Sequence, residues 1–226
     1  MWNDRTKLLI GEDGVSRLEN SSVAVIGVGG VGGQACQLLA RAGVGNITIV
    51  DFDVVDETNI NRQVLANVDT VGRQKVDVMA EMLIKINPKC NINKINAKLC
   101  AENIGEILAG HFDYVIDAID NVTNKIELIC YCKQNGTKIV SAMGAGNRVG
   151  IPTFKIMDIY KTSNDGLARI LRKKLREKGI EGLDVAISDA VSLKIDKRTH
   201  AVGSISYYPA MCGTVLSAFV IDKLIK

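Results

Sequence analysis

The chain has 226 residues, a length typical of one domain. Hydrophobic residues make up 47% and charged residues 23%, which is ordinary for a folded globular protein and excludes an intrinsically disordered chain. The formal net charge of +3 excludes a histone-like polycation, so any surface for nucleic acid must come from a local cluster of charges.

Short apolar runs alternate with amphipathic segments through the first two-thirds of the sequence. Strands are predicted at 23–27, 46–50, 90–96, 114–117 and 138–141, and helices at 30–42, 73–86, 101–109 and 122–134. Gly43, Pro88 and Gly136 follow three of these helices, as residues that end helices do. This alternation predicts an α/β fold with a Rossmann-like, doubly wound, mostly parallel sheet.

The pattern changes after residue 141. The segment 153–159 is typical of an antiparallel strand, 165–178 of a basic helix and 184–188 of a further strand, whereas the polar segment 189–203 predicts a mobile loop. The apolar segment 207–221 is shorter than the roughly 20 residues of a membrane helix, and Pro209 and Gly213 interrupt it. We therefore expect a buried C-terminal helix, an antiparallel C-terminal extension of the sheet and no membrane partner.

The cysteines and the N-terminus bear on the cellular compartment. The six cysteines include no CxxC pair, and the chain is not a small secreted scaffold, so we expect reduced thiols and no zinc. Cys212 could be a reactive thiol, although its neighbours Met211 and Gly213 favour a small apolar core residue. The polar N-terminus is unlike a signal peptide, and a cytoplasmic location is predicted.

A glycine-rich sequence, Gly27-Val-Gly29-Gly30-Val-Gly32, lies where the first predicted strand meets the first predicted helix. A GxGxxG pattern in that place lets the backbone approach a phosphate or ribose at a helix N-terminus. Asp51 ends the second predicted strand, where a carboxylate accepts hydrogen bonds from ribose hydroxyls. The pattern predicts a nucleotide site with NAD as the default ligand, and glycines needed only for tight packing are the alternative.

The segment after the ribose-binding acid changes the expected nucleotide. It contains Arg62 and leads to Lys75, and a guanidinium and an ammonium in this place suit a triphosphate better than NAD. Taken singly, each of them is more simply a solvated surface charge, but together they favour ATP.

Acidic residues follow the fourth predicted strand, at the edge of the sheet where open α/β folds bind ligands. Asp120, followed by Asn121, is placed to hold Mg²⁺ against the phosphates. Asp117 is expected to cap the turn and is given no further role.

Together these segments resemble the ThiF-like adenylyltransferases of the ubiquitin-activating superfamily. The resemblance is carried by 27–32, Asp51-Phe-Asp53, Asn59-Ile-Asn-Arg62-Gln63, 71–75 and Asp120-Asn121. It implies that the chain binds ATP and Mg²⁺ and transfers AMP to a carboxylate with release of pyrophosphate. It implies nucleotide contacts from Gly27, Gly29, Gly30, Gly32, Asp51, Asn59, Arg62, Lys75, Asp120 and Asn121, with Asp120 also the metal ligand.

The same resemblance implies a homodimer in which an N-terminal arginine crosses to the partner's active site, and Arg5 matches that position. Catalytic roles are thereby expected for Arg5, Arg62, Lys75 and Asp120. The chain, 1–226, would be one ThiF-type domain with its core at about 20–150 and a substrate-facing part at about 151–226. A monovalent cation, Na⁺ or K⁺, is a further candidate cofactor.

The later segments resemble one branch of this superfamily, the tRNA threonylcarbamoyladenosine dehydratases. The likeness is carried by 141–148, 152–153, 158–163, 167–169 and 203–206 with Pro209, while Gly166 and Gly150-Ile151 depart from it. The implied reaction is an ATP-dependent cyclisation of threonylcarbamoyladenosine next to the anticodon of tRNA, through adenylation of the threonine carboxylate. A sulfur-transfer protein of a cysteine desulfurase system is a candidate partner.

Two alternatives stand beside this interpretation. An adenylyltransferase that activates the C-terminal glycine of a ubiquitin-like sulfur carrier would use the same ATP site, although such enzymes usually carry CxxC pairs for zinc. An NAD-dependent oxidoreductase or a nucleotide-sensing module is disfavoured by Arg62, Lys75 and Asp120.

The predicted helix at 165–178 is strongly basic. Arg169, Arg172, Lys173 and Arg176 are spaced to share one helix face, and Lys161 lies just before the helix. Such a stripe can follow nucleic-acid phosphates and predicts a tRNA-binding surface, with a solvated helix face as the alternative. Further candidate groups for closing over the substrate lie in the loop at 189–203: Lys194, Lys197, Arg198 and His200.

Overall fold

In the computed structural model, which describes residues 2–193 and 202–226, helices lie on both faces of a seven-stranded sheet. The strands are β1 (Ser22–Ile26), β2 (Asn46–Val50), β3 (Asn91–Ile95), β4 (Tyr114–Asp117), β5 (Ile139–Ala142), β6 (Phe154–Asp158) and β7 (Asp184–Ser188). Their spatial order is β3-β2-β1-β4-β5-β7-β6, and only the β6–β7 pair is antiparallel. The predicted α/β fold with an antiparallel C-terminal extension is confirmed.

The helices divide between the two faces of the sheet. They are α1 (Asp4–Asn20), α2 (Gly32–Ala42), α3 (Lys75–Ile86), α4 (Ile104–Ile107), α5 (Val122–Gln134), α6 (Gly166–Glu177) and α7 (Tyr207–Leu224). The core of one face is built with α2, α3 and α7, and that of the other with α4, α5 and α6. Among the described residues, none of the helices combines the length and apolar character needed to cross a membrane.

The central strands are apolar at successive positions because both of their faces are covered. In β1, Val23 and Val25 pack in the core that contains α2 and α7, while Ala24 and Ile26 pack in the core that contains α5 and α6. A strand buried on both sides loses the alternation of apolar and polar residues seen at a sheet surface. This explains why a continuous apolar run marks β1 in the sequence.

Four predicted helices are shorter in the structure than in the prediction, among them those expected at 30–42 and 165–178, which are Gly32–Ala42 and Gly166–Glu177. The helix expected at 73–86 begins at Lys75, because Gln74 has an extended backbone and forms an isolated antiparallel bridge with Val54. The helix expected at 101–109 is confined to Ile104–Ile107. Because α3 begins at position 75, Lys75 lies at the N-terminus of this helix, at the site described below.

Helix α1 is not among the predicted elements. Within it only Gly14 and Leu18 are buried, so the segment has no apolar stripe of helical period. Gly11, with φ 71° and ψ 180°, interrupts the helical backbone and divides α1 into two parts. A glycine adopts this left-handed backbone without the steric cost that other residues meet.

Candidate functional site

A cavity of about 600 Å³ lies at the carboxyl ends of the central parallel strands. Nine of the ten residues predicted to contact a nucleotide line it: Gly27, Gly29, Gly30, Asp51, Asn59, Arg62, Lys75, Asp120 and Asn121. Parallel strands end at the same edge of the sheet, so residues far apart in sequence meet there.

The spatial order of the strands gives the cavity two walls. β2 and β3 lie on one side of β1, and residues 50–53 and 97–99, at and just after the carboxyl ends of these strands, form what we call the β2 wall. β4 and β5 lie on the other side, and 142–146 with Leu167, Val202 and Ser204 form the β5 wall. Asp120, which follows β4, lies between the two walls.

Asp51 is held at the glycine-rich loop by backbone amides. Its Oδ2 accepts a hydrogen bond from the Val28 amide at 2.8 Å, and its Oδ1 accepts one from the Asp53 amide at 2.9 Å. Each carboxylate oxygen can accept a further bond, so the side chain is fixed in place and still able to bind a hydroxyl group. This geometry fits the predicted contact with a ribose.

Gly32 differs from the other glycines of the motif. It is the first residue of α2, it is buried, and it is absent from the cavity lining. A Cβ on Gly32 would overlap the carbonyl oxygen of Gly27, whereas a Cβ on Gly29 would meet its nearest atom, Nε2 of Gln63, at 3.8 Å. Close packing of loop and helix therefore explains the glycine at position 32, the alternative left open by the sequence.

Lys75 and Arg62 bring two positive charges to the cavity. The Lys75 ammonium pairs with Asp53 at 2.7 Å, and its side chain is 7% exposed against 47% for Asp53. Arg62 donates from Nη1 to the Thr58 carbonyl oxygen at 2.8 Å and to Oδ1 of Asn61 at 2.9 Å. A guanidinium anchored through Nη1 keeps donors on Nη2 and Nε for an anionic ligand.

Asp120 and Asn121 follow β4 and line the cavity. Asn121 caps α5, since its Oδ1 accepts a hydrogen bond from the Asn124 amide at 3.1 Å, and its side-chain amide remains a donor. Asp120 is exposed to the cavity. Among residues 2–193 and 202–226 no group of three or more His, Cys, Asp or Glu could hold a metal alone. A single carboxylate suits Mg²⁺, which binds nucleotide sites through one or two carboxylates, phosphates and water.

Arg5 lies apart from these residues. It is an exposed residue of α1 and does not line the cavity of its own chain. Its predicted contact with the nucleotide therefore requires a second subunit.

The basic helix α6 begins beside the cavity, where Leu167 belongs to the β5 wall. Lys161, Arg169, Lys173 and Arg176 are exposed, and Arg176 lies over the Tyr160 ring at 4.9 Å. Arg172 is half-buried instead. Its Nη1 donates to the carbonyl oxygen of Thr162 at 3.1 Å and to the Thr162 hydroxyl at 2.5 Å.

Two buried ion pairs were not predicted from the sequence. Lys125 of α5 pairs with Asp117 of β4 at 2.8 Å with both side chains 0% exposed. Arg148 pairs with Asp165, the N-cap of α6, at 2.8 Å with both side chains 2% exposed. Lys125 could have been suspected, because it lies on the same helix face as the apolar Ile129. Nothing in the sequence signals the pairing of Arg148 with Asp165.

Asn147 joins the two chain ends that flank the undescribed segment 194–201, which contains the predicted Lys194, Lys197, Arg198 and His200. Its carbonyl oxygen accepts from the Leu193 amide at 2.6 Å, and its Oδ1 accepts from the Gly203 amide at 2.6 Å. Its own amide donates to the Gly203 carbonyl oxygen at 2.7 Å. Asn147 has a φ of 55°, a left-handed conformation that asparagine tolerates better than most residues.

Five of the six cysteines are buried, Cys212 among them. Burial raises the pKa of the Cys212 thiol to about 12, that of Cys132 to about 12 and that of Cys90 to about 11. Since the thiolate is the reactive form, these thiols are inert at neutral pH. The structure agrees with the interpretation of Cys212 as a core residue.

We expect the native protein at pH 7 to react with a thiol reagent such as DTNB at one site only, the half-buried Cys100. Denaturation should expose all six thiols to the reagent. Cys100→Ser is the control, and it should abolish the reaction of the native protein with the thiol reagent. Rapid labelling of Cys212 in the folded protein would contradict the prediction.

Comparison with known proteins extends the likeness over the whole chain. The profile of the ThiF family matches residues 4–225. A "tRNA threonylcarbamoyladenosine dehydratase" of Bacillus subtilis (strain 168) is 38% identical over an alignment of 238 positions. The alignment covers 98% of this chain and 94% of that protein. A "Molybdopterin-synthase adenylyltransferase" of Haemophilus influenzae is 42% identical over 137 residues, which cover 61% of this chain and 55% of that protein.

A solved structure shows the same fold. The crystal structure of E. coli tRNA N6-threonylcarbamoyladenosine dehydratase, TcdA, in complex with ATP superposes with a TM-score of 0.91 and 34% sequence identity. The match covers 98% of this chain and 93% of that chain. A structure of the same E. coli protein in complex with AMP gives a TM-score of 0.90.

Proposed function

The chain belongs to the ThiF family, and we propose that it is an ATP-dependent tRNA threonylcarbamoyladenosine dehydratase. The observation that carries the proposal is the extent of the likeness to the dehydratases, which covers 98% of the chain and so includes α6 and α7 as well as the cavity. The likeness to the molybdopterin-synthase adenylyltransferase covers 61% of the chain, and activation of a carrier protein is not favoured.

ATP is the nucleotide that the cavity would bind. The related E. coli enzyme was crystallised with ATP and with AMP, and the cavity has the charges that a triphosphate requires. Asp51 would hold the ribose at the β2 wall, while Arg62 and Lys75 would hold phosphate oxygens. The anionic phosphates would compete with Asp53 for the Lys75 ammonium.

Mg²⁺ is the metal we propose, with Asp120 as its protein ligand. When bound, it supplies positive charge that stabilises the phosphates as negative charge develops on them. Asp120 orients that charge from between the two walls of the cavity. The Asn121 side-chain amide lies beside it as a neutral donor.

The proposed chemistry has two steps. An oxygen of the threonine carboxylate attacks the α-phosphorus of ATP, the bond to the bridging oxygen breaks and pyrophosphate leaves, which gives an acyl adenylate. The neighbouring ureido group then attacks the acyl carbon, the bond to AMP breaks and a proton is lost, so that the nucleoside has lost one water. Ring closure within one molecule is strongly favoured, so the protein needs only to orient the groups and stabilise charge.

A homodimer would complete this site. Leu8 and Leu9 on α1 are 83% and 87% exposed, as expected of residues that another subunit covers. Arg5 lies on the same exposed part of α1, from which it could enter the partner's cavity. The tRNA substrate favours a cytoplasmic location.

The direct test is a nucleoside analysis by mass spectrometry. The protein is incubated with ATP, Mg²⁺ and tRNA that carries threonylcarbamoyladenosine, and we expect the nucleoside to lose one water only when ATP is present. AMP and pyrophosphate should accumulate in equal amounts. An unchanged nucleoside, together with pyrophosphate exchange that depends on a carrier protein, would support the alternative instead.

The exposed basic residues of α6 should bind the tRNA backbone. The double reversal Arg169→Glu/Lys173→Glu should weaken tRNA binding and reduce the slope of log affinity against log salt by roughly 1.5 to 2, since each lost phosphate contact removes nearly one unit. Binding is measured by fluorescence anisotropy across a salt series. The control, Arg41→Glu/Lys85→Glu, makes the same charge change on exposed residues of α2 and α3. Equal effects of both pairs would assign the loss to net charge alone.

A further inference from the structure

We propose that Asp165, through its buried pair with Arg148, is a positioning residue that joins the β5 wall of the cavity to the basic helix α6. The inference rests on the proposed function, because it assigns the β5 wall to the tRNA substrate. Asp165 makes no contact with the cavity, so it acts through the residues that it holds.

The two carboxylate oxygens of Asp165 hold two different elements. Oδ1 accepts a hydrogen bond from the Ala168 amide at 2.8 Å and caps α6. Oδ2 accepts from the Gly144 amide at 3.2 Å and from Nη2 of Arg148 at 2.8 Å. One side chain thus sets the start of the basic helix and the position of a residue in the β5 wall.

Arg148 extends the connection to the end of β7. Its Nη1 donates to the carbonyl oxygen of Ser188 at 3.2 Å and to that of Ala190. Ser188 in turn shares a hydrogen bond of 2.8 Å with the Tyr208 hydroxyl in α7. The pair therefore lies at the junction of the β5 wall with α6, β7 and α7.

The position of this junction points to the second substrate. The ribose-binding Asp51 belongs to the β2 wall, and Asp120 lies between the walls. The β5 wall includes Leu167, which lies in the first turn of α6, so the exposed charges of α6 follow directly from this part of the cavity. A modified base that enters from tRNA bound on α6 would reach the α-phosphate along the β5 wall.

Stability does not account for the charges of this pair. An apolar pair of similar volume in a protein interior commonly stabilises the fold as much as an ion pair does. The reason is that the free energy of desolvating two charges offsets most of their attraction. The Arg148 guanidinium donates from Nη2 to Asp165 and from Nη1 to two backbone carbonyl oxygens, and such directed bonds fix position in a way that apolar side chains do not. Two charged side chains that are 2% exposed at this junction therefore point to positioning.

The test separates the two substrates. Asp165→Asn keeps an oxygen that can cap α6 and removes the charge that pairs with Arg148. We expect the KM for threonylcarbamoyladenosine-containing tRNA to rise roughly tenfold or more, because a displaced β5 wall and α6 would lose contacts to the tRNA, and losing one hydrogen bond to a charged group costs about that much affinity. The dissociation constant for ATP, measured by calorimetry without tRNA, should stay within about twofold of the wild type, because the residues that would hold ATP are outside this junction.

Asp117→Asn is the matched control, because it removes the carboxylate of the other fully buried ion pair. It should lower the melting temperature to a similar degree without a rise in the KM for tRNA. All measurements are made well below the melting temperature of every variant. Arg148→Lys, which keeps the buried charge but loses the forked donors, carries the same test if Asp165→Asn does not fold.

The outcomes distinguish this inference from the proposed function. If the wild type removes no water from the nucleoside, the proposed function is wrong. If the wild type is active and Asp165→Asn leaves the KM for tRNA unchanged, only the positioning role is wrong. Equal losses of tRNA and ATP affinity would also overturn it, since they would indicate a general disturbance of the fold.

Discussion

Replacing Asp120 by alanine should lower kcat for ATP-dependent dehydration by about 100-fold or more, because the carboxylate that would orient the metal charge on the phosphates is lost. The fold should be unaffected. Asp120 is exposed at the end of β4, so the change leaves neither a cavity in the core nor an unpaired buried group. The rate is measured from the nucleoside that has lost one water, and the fold from the melting temperature.

Asp184→Ala is the matched control for Asp120→Ala. Asp184 is also an exposed acid at the end of a strand, but it begins β7 and so lies at the opposite edge of the sheet. Its removal should leave both kcat and the melting temperature nearly unchanged. An Asp120→Ala enzyme with the wild-type rate would refute the metal role.

Gly32→Ala should destabilise the protein by about 3 kcal/mol, since the added Cβ would overlap the carbonyl oxygen of Gly27 and force loop and helix apart. For a chain of this size such a loss lowers the melting temperature by roughly 10 °C. Circular dichroism during a thermal scan measures it. The loss of stability should appear without a nucleotide in the measurement, because Gly32 is outside the cavity lining.

Gly29→Ala separates packing from binding within the same motif. A Cβ at position 29 meets its nearest atom at 3.8 Å, an ordinary contact, so the melting temperature without ATP should change little. The residue lines the cavity, and the methyl group should weaken ATP binding. A large loss of stability in Gly29→Ala and none in Gly32→Ala would show that the two roles are reversed.

The sheet and the cavity edge were predictable because local signals decide them. A continuous apolar run such as 23–26, followed by a glycine and then by a helix, is sufficient to predict a parallel strand whose end meets a ligand. This rule places Asp51 and Asp120 together, since each follows a strand, whereas Lys75 was placed with them because its charge suits a triphosphate.

The features that were missed depend on packing between distant segments. α1 buries only Gly14 and Leu18, with Ile10 partly buried against the core, too few apolar residues to reveal a helix by period. Arg172 shares the helix face expected for tRNA, yet the Thr162 that precedes α6 binds its guanidinium. Arg148 lies in a loop and Asp165 begins the predicted basic helix, and only the tertiary structure shows that they meet in the interior.

Asn147 binds both Leu193 and Gly203, so the number of residues between these two need not alter the geometry of the cavity. This one residue holds the two ends of the segment together. The entropic cost of closing a flexible chain grows slowly, by about 0.6 kcal/mol for each doubling of its length. A change in the number of residues between these two ends should therefore cost little stability and leave the residues of the cavity in place.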